Sequence, residues 1–179
     1  MSRLAELLAD YRQSGEKVVV FSFFHSVLEG IEKSFHPVGR IDGSIASEAR
    51  LALIAKLADV EGHALLLAQI DAGGVGLNIQ AASVVVLMEP QWKPSTENQA
   101  IARVYRMGQT RRVIVHRLLA RESIDERLTD VLRKKQEIFD DHVRDSSVKA
   151  ASEEAVATGL AARLIEEEVR RVGGGSSPR

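Results

Sequence analysis

Short apolar runs alternate with amphipathic stretches along most of the chain. Four residues recur at helical spacing near the start (Leu4, Leu7, Leu8 and Tyr11) and predict a helix over 3–13. The β-branched run at 17–22 is typical of a strand buried on both faces of a parallel sheet. The same reasoning predicts, in order, a helix near 27–35, a strand at 38–41, a helix at 47–58, a strand at 63–68, a glycine-rich loop at 70–80, a strand at 83–88, a loop at 89–95, a helix at 96–106, a strand at 113–118 and a long helix at 123–144. This alternation indicates βαβ units and a three-layer α/β domain with a mostly parallel central sheet.

The sequence changes in character near residue 145. Residues 146–172 are rich in Ala, Glu and Arg, with apolar residues at helical intervals, and 173–178 are Gly, Ser and Pro, typical of a flexible segment. We therefore predict an α/β core over 1–145 and a helical extension over 146–179. The apolar stripe of the extension fits packing on the core as well as binding to a partner helix, and the sequence leaves both open.

Composition limits the classes of function. Lys and Arg total 24 against 25 Asp and Glu, which gives a net charge of −1. This charge neither indicates nor excludes a nucleic-acid partner, because binding depends on the local electrostatic field and not on the total charge. The absence of cysteine excludes disulfides and cysteine-ligated metal sites. No apolar run approaches the ~20 residues of a membrane span, and the N-terminus lacks the apolar region of a signal peptide. These features predict a soluble, cytoplasmic protein without a membrane partner.

Glycines cluster after the apolar strand that ends near residue 68. Gly73, Gly74 and Gly76 let the backbone approach a ligand closely, and successive N–H groups there can cup an anion. A dinucleotide fingerprint is disfavoured because Ile79 stands where its third glycine belongs. An anion loop and a tight turn at a strand end both remain open on the glycines alone.

Two arginines three residues apart are the strongest candidates for phosphate chemistry. Arg103 and Arg106 are predicted to share one helix face, with Gly108 ending the helix. Guanidinium groups so placed can neutralise charge on a transferring phosphoryl group, although a solvated basic face is the commoner meaning of two arginines. The interval from Asn98 to Arg121 contains no acidic residue, which favours a basic patch and a phosphate partner. Its arginines are Arg103, Arg106, Arg111, Arg112, Arg117 and Arg121.

Other candidates are weaker, and some expected parts are missing. Trp92, between two prolines and beside Lys93, fits a core position or a group that stacks on nucleic acid. Ser22 follows a strand and is predicted to be exposed at its end, and Asp42-Gly43-Ser44 has the composition of a turn. The five histidines show no metal-ligand spacing. There is no G-x-x-x-x-G-K-[ST] sequence and no Asp-Glu pair at the end of a predicted strand, so the chain lacks the parts that grip a nucleotide and its metal.

Taken in order, five segments resemble the second half of the helicase motifs in Swi/Snf-type enzymes of helicase superfamily two. The segments are Phe21-Ser22-Phe23-Phe24, Asp42-Gly43-Ser44, Ala72-Gly73-Gly74-Val75-Gly76-Leu77-Asn78, Pro90-Gln91-Trp92-Lys93-Pro94, and Gln99-Ala100 through Arg103, Arg106, Gly108 and Gln109. The resemblance covers about residues 1–140 and is closest to bacterial members. The chain departs from the family pattern at Tyr105 (usually His), Lys93 (often Asn), Glu89 (often Asp) and Gln69 (often Ser or Thr).

The resemblance implies a RecA-like (P-loop NTPase-like) lobe. ATP and Mg²⁺ would bind in the cleft between this lobe and a first lobe, and this lobe would close the cleft. It assigns the arginine fingers to Arg103 and Arg106, and a helix that braces the two lobes to 123–144. It assigns the ATP cleft to Gly74, Gly76, Asn78 and Gln109, and DNA contacts to Ser22, Gly43, Ser44, Trp92 and Lys93.

The expected function is thus the second motor lobe of a bacterial ATP-dependent translocase on double-stranded DNA, nucleoid-associated when working. Its expected partners are the first lobe and duplex DNA, and the lobe alone is expected to be inactive and to bind no cofactor. An RNA helicase lobe of the same superfamily and a non-catalytic DNA- or protein-binding module are the alternatives. A Rossmann dinucleotide enzyme is disfavoured by the missing glycine.

Overall fold

The computed structural model describes residues 2–72, 77–91 and 93–119. Its elements are α1 (Ser2–Gln13), β1 (Lys17–Ser22), α2 (His25–Phe35), β2 (Gly39–Ile41), α3 (Ser47–Asp59), β3 (Ala64–Gln69), β4 (Val84–Leu87), α4 (Pro94–Ala102) and β5 (Ile114–Arg117). The chain divides into two compact units, one of Met1–Glu89 with Ser95–Leu118 and one of Pro90–Pro94 with Leu119–Arg179. The first unit contains the sheet. The predicted helix 123–144, the boundary near 145 and the extension 146–179 lie outside the described residues.

The described strands form one parallel sheet in the order β2-β3-β1-β4-β5. β1 is central: Lys17 is in register with Ala64 of β3, and Val18 with Val84 of β4. β4 pairs in turn with β5, and β2 pairs with β3 at the opposite edge. All four pairings are parallel, which confirms the predicted α/β fold.

Alternation along the strands divides the core into two layers. Val19 and Phe21 of β1 belong to a cluster with Leu57 of α3 and Ala100 of α4. Val18 and Val20 of the same strand belong to a cluster with residues of α1 and α2. Because successive strand residues point to opposite faces, one strand with four consecutive apolar residues supplies both layers. The helices therefore cover both faces of the sheet, as the continuous apolar runs predicted.

The helix predicted over 96–106 is shorter than expected. It begins at Pro94 and ends at Ala102, after which Arg103 N and Val104 N bond to carbonyls only three residues back. Ile79 N donates to the carbonyl of Arg103 at 2.7 Å. In a continuing α-helix, the carbonyl of Arg103 would instead accept from the N–H four residues later. The bond from the loop before β4 therefore takes the place of a helical bond, and the helix ends. The prediction that Arg103 and Arg106 share a helix face is therefore wrong.

Gly108 does not end this helix. It has φ +97° and lies in a separate turn, closed by Gln109 N donating to Arg106 O at 2.9 Å. Gly108 is the third residue of that turn, where a positive φ favours glycine. We call residues 106–109 the arginine turn.

Candidate functional site

Several of the described motif residues, among them Ser22, Asp42 and Ala72, lie where the parallel strands end. β1, β2, β3 and β4 all run in one direction, so the residues that follow them lie along one edge of the sheet. In open α/β sheets, ligands bind outside the carboxyl ends of the strands. Contacts with a ligand are consequently expected along this edge.

Ser22, at the end of β1, is buried. Its Oγ donates to Glu89 Oε2 at 3.0 Å and accepts from Phe24 N at 3.1 Å. Phe23 N also donates to Glu89 Oε1. The prediction that Ser22 is exposed is wrong, because its hydroxyl points into the protein and binds the carboxylate of Glu89, just after β4. The side chain holds the ends of two neighbouring strands together, and the exposed groups here are the rings of Phe23 and Phe24.

The loop after β2 is organised by the carboxylate of Asp42. Its Oδ1 accepts from Ser44 N at 3.0 Å and from Ser44 Oγ at 2.5 Å, and its Oδ2 contacts Arg40 Nε at 3.2 Å. These contacts form an Asx turn, in which Gly43 and Ser44 are exposed while Asp42 is buried. The Ser44 hydroxyl, with help from the Ser44 N–H and Arg40, holds the pKa of Asp42 below its ordinary value of 3.8, although burial opposes the shift.

This pKa shift predicts how stability depends on pH. Because the folded-state pKa is lowered, the contribution of Asp42 is fully present above pH 3.8 and is lost as the pH falls through the folded-state pKa. Asp42→Asn is expected to lower the free energy of unfolding near neutral pH, and the difference from the wild type is expected to shrink below pH 3.8. Urea unfolding followed by circular dichroism over this range measures the effect. A constant difference at every pH would contradict it, and Asp59→Asn at the exposed end of α3 serves as the control.

Sequence reasoning missed Arg50, which connects two of these loops. Its Nε donates to Ile45 O at 2.7 Å and its Nη1 donates to Ala72 O at 3.0 Å. A third bond joins its Nη2 to Gly43 O at 3.4 Å. The only signal was a cation close to the start of α3, where the helix dipole disfavours positive charge. Arg50 fixes the loop after β2 against the loop after β3.

Several predicted residues lie outside the described part of the chain or in the second unit. Gly74, Gly76 and Trp92 are not described, so their assignments to the ATP cleft and to DNA stay predictions. Lys93 is half-buried and belongs to the second unit.

Gln109 is engaged by the protein itself. Its Nε2 donates to Gln80 O at 2.9 Å and to Ala82 O at 3.1 Å, and its Oε1 accepts from Arg111 N at 3.1 Å. Asn78 is exposed, and its Nδ2 donates to the side chain of Gln80 at 3.0 Å. Of these two predicted cleft residues, Asn78 has the more accessible side chain.

Arg103 and Arg106 have different surroundings. Arg103 is half-buried, and its Nη1 donates to Ile70 O, the first carbonyl after β3, at 3.2 Å. Burial lowers the pKa of Arg103, while the charge of Asp71 opposes this shift, and the group stays cationic. Arg106 is exposed, and its guanidinium group makes no hydrogen bond or ion pair with any residue that the structure describes. Arg106 is therefore the more available cation.

The six arginines between residues 98 and 121 do not form one unpaired patch. Arg117 Nε lies 2.7 Å from Glu97 Oε2, and Arg111 Nη1 lies 3.7 Å from Glu16 Oε2. Both acids precede the acid-free interval, so the sequence pattern did not reveal the pairing. Within residues 98–119, Arg106 and Arg112 are the exposed arginines left without a described partner.

A family described as "Helicase conserved C-terminal domain" matches residues 1–108. The chain belongs to this helicase C-terminal family. "DNA repair protein RAD5B" of Arabidopsis thaliana is 36% identical to the chain over 159 residues, which are 84% of this chain and 12% of that protein. The chain thus spans about an eighth of that relative.

Two solved structures share the fold of this helicase C-terminal lobe. The C-terminal part of the Fun30 ATPase domain superposes with a TM-score of 0.69 and 26% identity, covering 93% of this chain and 53% of that one. The Sulfolobus solfataricus SWI2/SNF2 ATPase core in complex with double-stranded DNA gives a TM-score of 0.68 and 26% identity, covering 95% and 34%. These matches confirm the Swi/Snf-type, RecA-like assignment. The bacterial origin stays a prediction.

None of the helices that the structure describes in this lobe is long and apolar enough to cross a membrane.

Proposed function

We propose that the chain is the second motor lobe of an ATP-dependent translocase on double-stranded DNA, with Arg106 as its principal arginine finger. The observation that carries the proposal is the state of Arg106: exposed, without a described counter-ion, and set in a turn whose backbone is held from both sides. A cation held in this way is available to an anion supplied from outside the lobe.

Phosphoryl transfer asks the protein mainly for positioning and charge neutralisation. A guanidinium group offers several N–H donors in a fixed geometry that matches phosphate oxygens. Arg106 supplies this charge when the two lobes close. Arg103 is the second finger, and its bond to Ile70 O ties it to the end of β3.

In this proposal ATP and Mg²⁺ are held mainly by the first lobe. The sequence has no G-x-x-x-x-G-K-[ST] segment, and the described residues contain no group of three or more His, Asp or Glu side chains able to hold a metal ion. Bound magnesium would neutralise charge on the phosphates. This chain contributes Arg106, Arg103, Asn78 and the glycines at 74 and 76, and the lobe alone is inactive.

Duplex DNA lies along the carboxyl edge of the sheet in this proposal. Gly43 and Ser44 are exposed there, and the Gly43 N–H is the main-chain donor that a phosphate can approach, because the N–H and hydroxyl of Ser44 already donate to Asp42. Trp92 and Lys93 are further DNA contacts by the family resemblance alone. The buried Ser22 acts by shaping the end of β1. Support comes from the DNA-bound state named for the SWI2/SNF2 neighbour.

The direct test is ATP turnover by the chain alone and by the chain mixed with a P-loop-bearing first lobe of a Swi/Snf-type enzyme, each with and without nucleic acid. We expect turnover only in the mixture, with stimulation by duplex DNA. Turnover by the chain alone would show a nucleotide site of its own and contradict the proposal. Stimulation by RNA in place of DNA would favour the RNA helicase alternative. DNA binding without any gain in turnover, in a mixture shown to associate, would favour the binding module.

A further inference from the structure

Two glutamines hold the arginine turn against the segment before β4. Gln80 Nε2 donates to Met107 O, inside the turn, at 2.7 Å. Gln109 Nε2 donates in the opposite direction, to Gln80 O at 2.9 Å and Ala82 O at 3.1 Å. Each glutamine therefore binds the main chain of the other's segment. We call this pair the glutamine clasp.

The clasp holds a segment that belongs to no helix or strand. α4 ends at Ala102 and β5 begins at Ile114, and no helix or strand lies between them. Within the arginine turn the backbone closes one bond of its own, from Gln109 N to Arg106 O. Fixing an irregular segment that has few backbone bonds costs conformational entropy, and the side-chain bonds of Gln80 and Gln109 help to offset this cost. Arg111 Nη2 adds a bond from the same segment to Ala81 O at 2.5 Å.

The polarity of the clasp is specific. Gln109 Nε2 faces two carbonyl oxygens, while its Oε1 accepts from Arg111 N at 3.1 Å. Glutamate has the same shape but would set a carboxylate oxygen against the two carbonyls and remove both donors. The nearly isosteric change Gln109→Glu therefore removes the Gln109 half of the clasp with little change in side-chain volume.

We infer that Gln80 and Gln109 are positioning residues for Arg106. They fix the arginine turn to the segment that follows the glycine loop, so that Arg106 reaches the reacting phosphate only when that segment is in place. Gln109, which the resemblance places at the ATP cleft, acts in this inference through the arginine turn and not through a contact with the nucleotide. The inference rests on the proposed function, because it requires Arg106 to act in catalysis.

A first experiment measures the clasp without any turnover. Hydrogen–deuterium exchange over 103–112 is recorded for the whole chain, together with the NMR signal of the methyl group of Met107, a residue of the turn that is 97% exposed. Gln109→Glu, Gln109→Ala and the milder Gln80→Ala are compared with Gln13→Ala, an exposed glutamine at the end of α1. We expect faster exchange and a more mobile methyl group in the clasp variants, and no change in the control. Exchange equal to the control in all three would overturn the inference.

A second experiment measures turnover after mixing with the first lobe. The clasp variants are expected to lower kcat by about 10- to 100-fold, the effect of displacing a catalytic group by about 1 Å. The KM for ATP and the affinity for DNA are expected to stay as in the wild type. Combined with Arg106→Ala, the same changes are expected to cost less than about twofold further, because residues that act as a unit are non-additive.

The outcomes separate the two proposals. Faster exchange with unchanged kcat would overturn the positioning role. A loss of kcat in the clasp variants that adds fully to the loss caused by Arg106→Ala would overturn it as well. Absence of turnover in the wild-type mixture would contradict the proposed function and the catalytic part of this inference together. The exchange data would then still decide whether the glutamines hold the turn.

Discussion

Arg106→Ala is expected to remove nearly all DNA-stimulated ATP turnover from the chain mixed with a P-loop-bearing first lobe. An arginine finger contributes about 10³–10⁵ in rate, and the guanidinium group of Arg106 is exposed and has no described partner. Steady-state turnover at saturating ATP and duplex DNA measures the loss. Because the Arg106 side chain contacts no other described residue through a hydrogen bond or ion pair, the circular dichroism spectrum and the unfolding midpoint are expected to match the wild type.

Two further variants sharpen this test. Arg106→Lys keeps the charge but loses the planar set of donors, so it is expected to retain more turnover than alanine and less than the wild type. Arg12→Ala, at the exposed end of α1, removes an arginine remote from the arginine turn and is expected to have no effect. Full turnover by Arg106→Ala would refute the assignment of the finger.

Phe21→Ala is expected to produce the largest loss of stability. Phe21 is fully buried in the central strand and belongs to the core cluster shared by the sheet, α3 and α4. Removing a buried phenylalanine ring costs about 3–5 kcal/mol, through lost burial and the cavity left behind. Typical domains are stable by about 5–15 kcal/mol, so this single change removes a large share. Urea unfolding followed by circular dichroism measures the difference.

Phe23→Ala is the matched control. It lies two residues further along and is 47% exposed, with its ring edge-on to that of Phe24. The free energy of unfolding is expected to fall by no more than about 1 kcal/mol in this variant, the scale of an exposed aromatic pair. Equal losses at the two positions would contradict the assignment of Phe21 to the core.

The α/β layout was predictable because local patterns carry it. The run Val18-Val19-Val20-Phe21 is apolar and mostly β-branched, and such a run is stable only between two covered faces. The end of α4 was not predictable in this way, because the group that stops it is the N–H of Ile79 in another loop. Strand positions follow from the residues themselves, whereas this helix boundary depends on a tertiary contact.

The candidate site was predictable in the identity of its residues and less so in their roles. Arg106 has the availability that its motif predicted. Ser22 does not, because its partner Glu89 is 67 residues away in sequence. Arg50 and Gln80 act through side-chain bonds to distant carbonyls, which no local pattern predicts.

The central place of β1 has a consequence for the synthesis of the protein. β1 leaves the ribosome before β3 and β4, yet its hydrogen-bonding partners begin only at Ala64 and Val84. Until both have emerged, the valine-rich strand has at least one open edge, the kind of surface that promotes aggregation. Folding must also wait for long-range pairing, which slows it. A nascent or truncated chain ending before Val84 would thus depend on chaperones to keep β1 from pairing with other molecules.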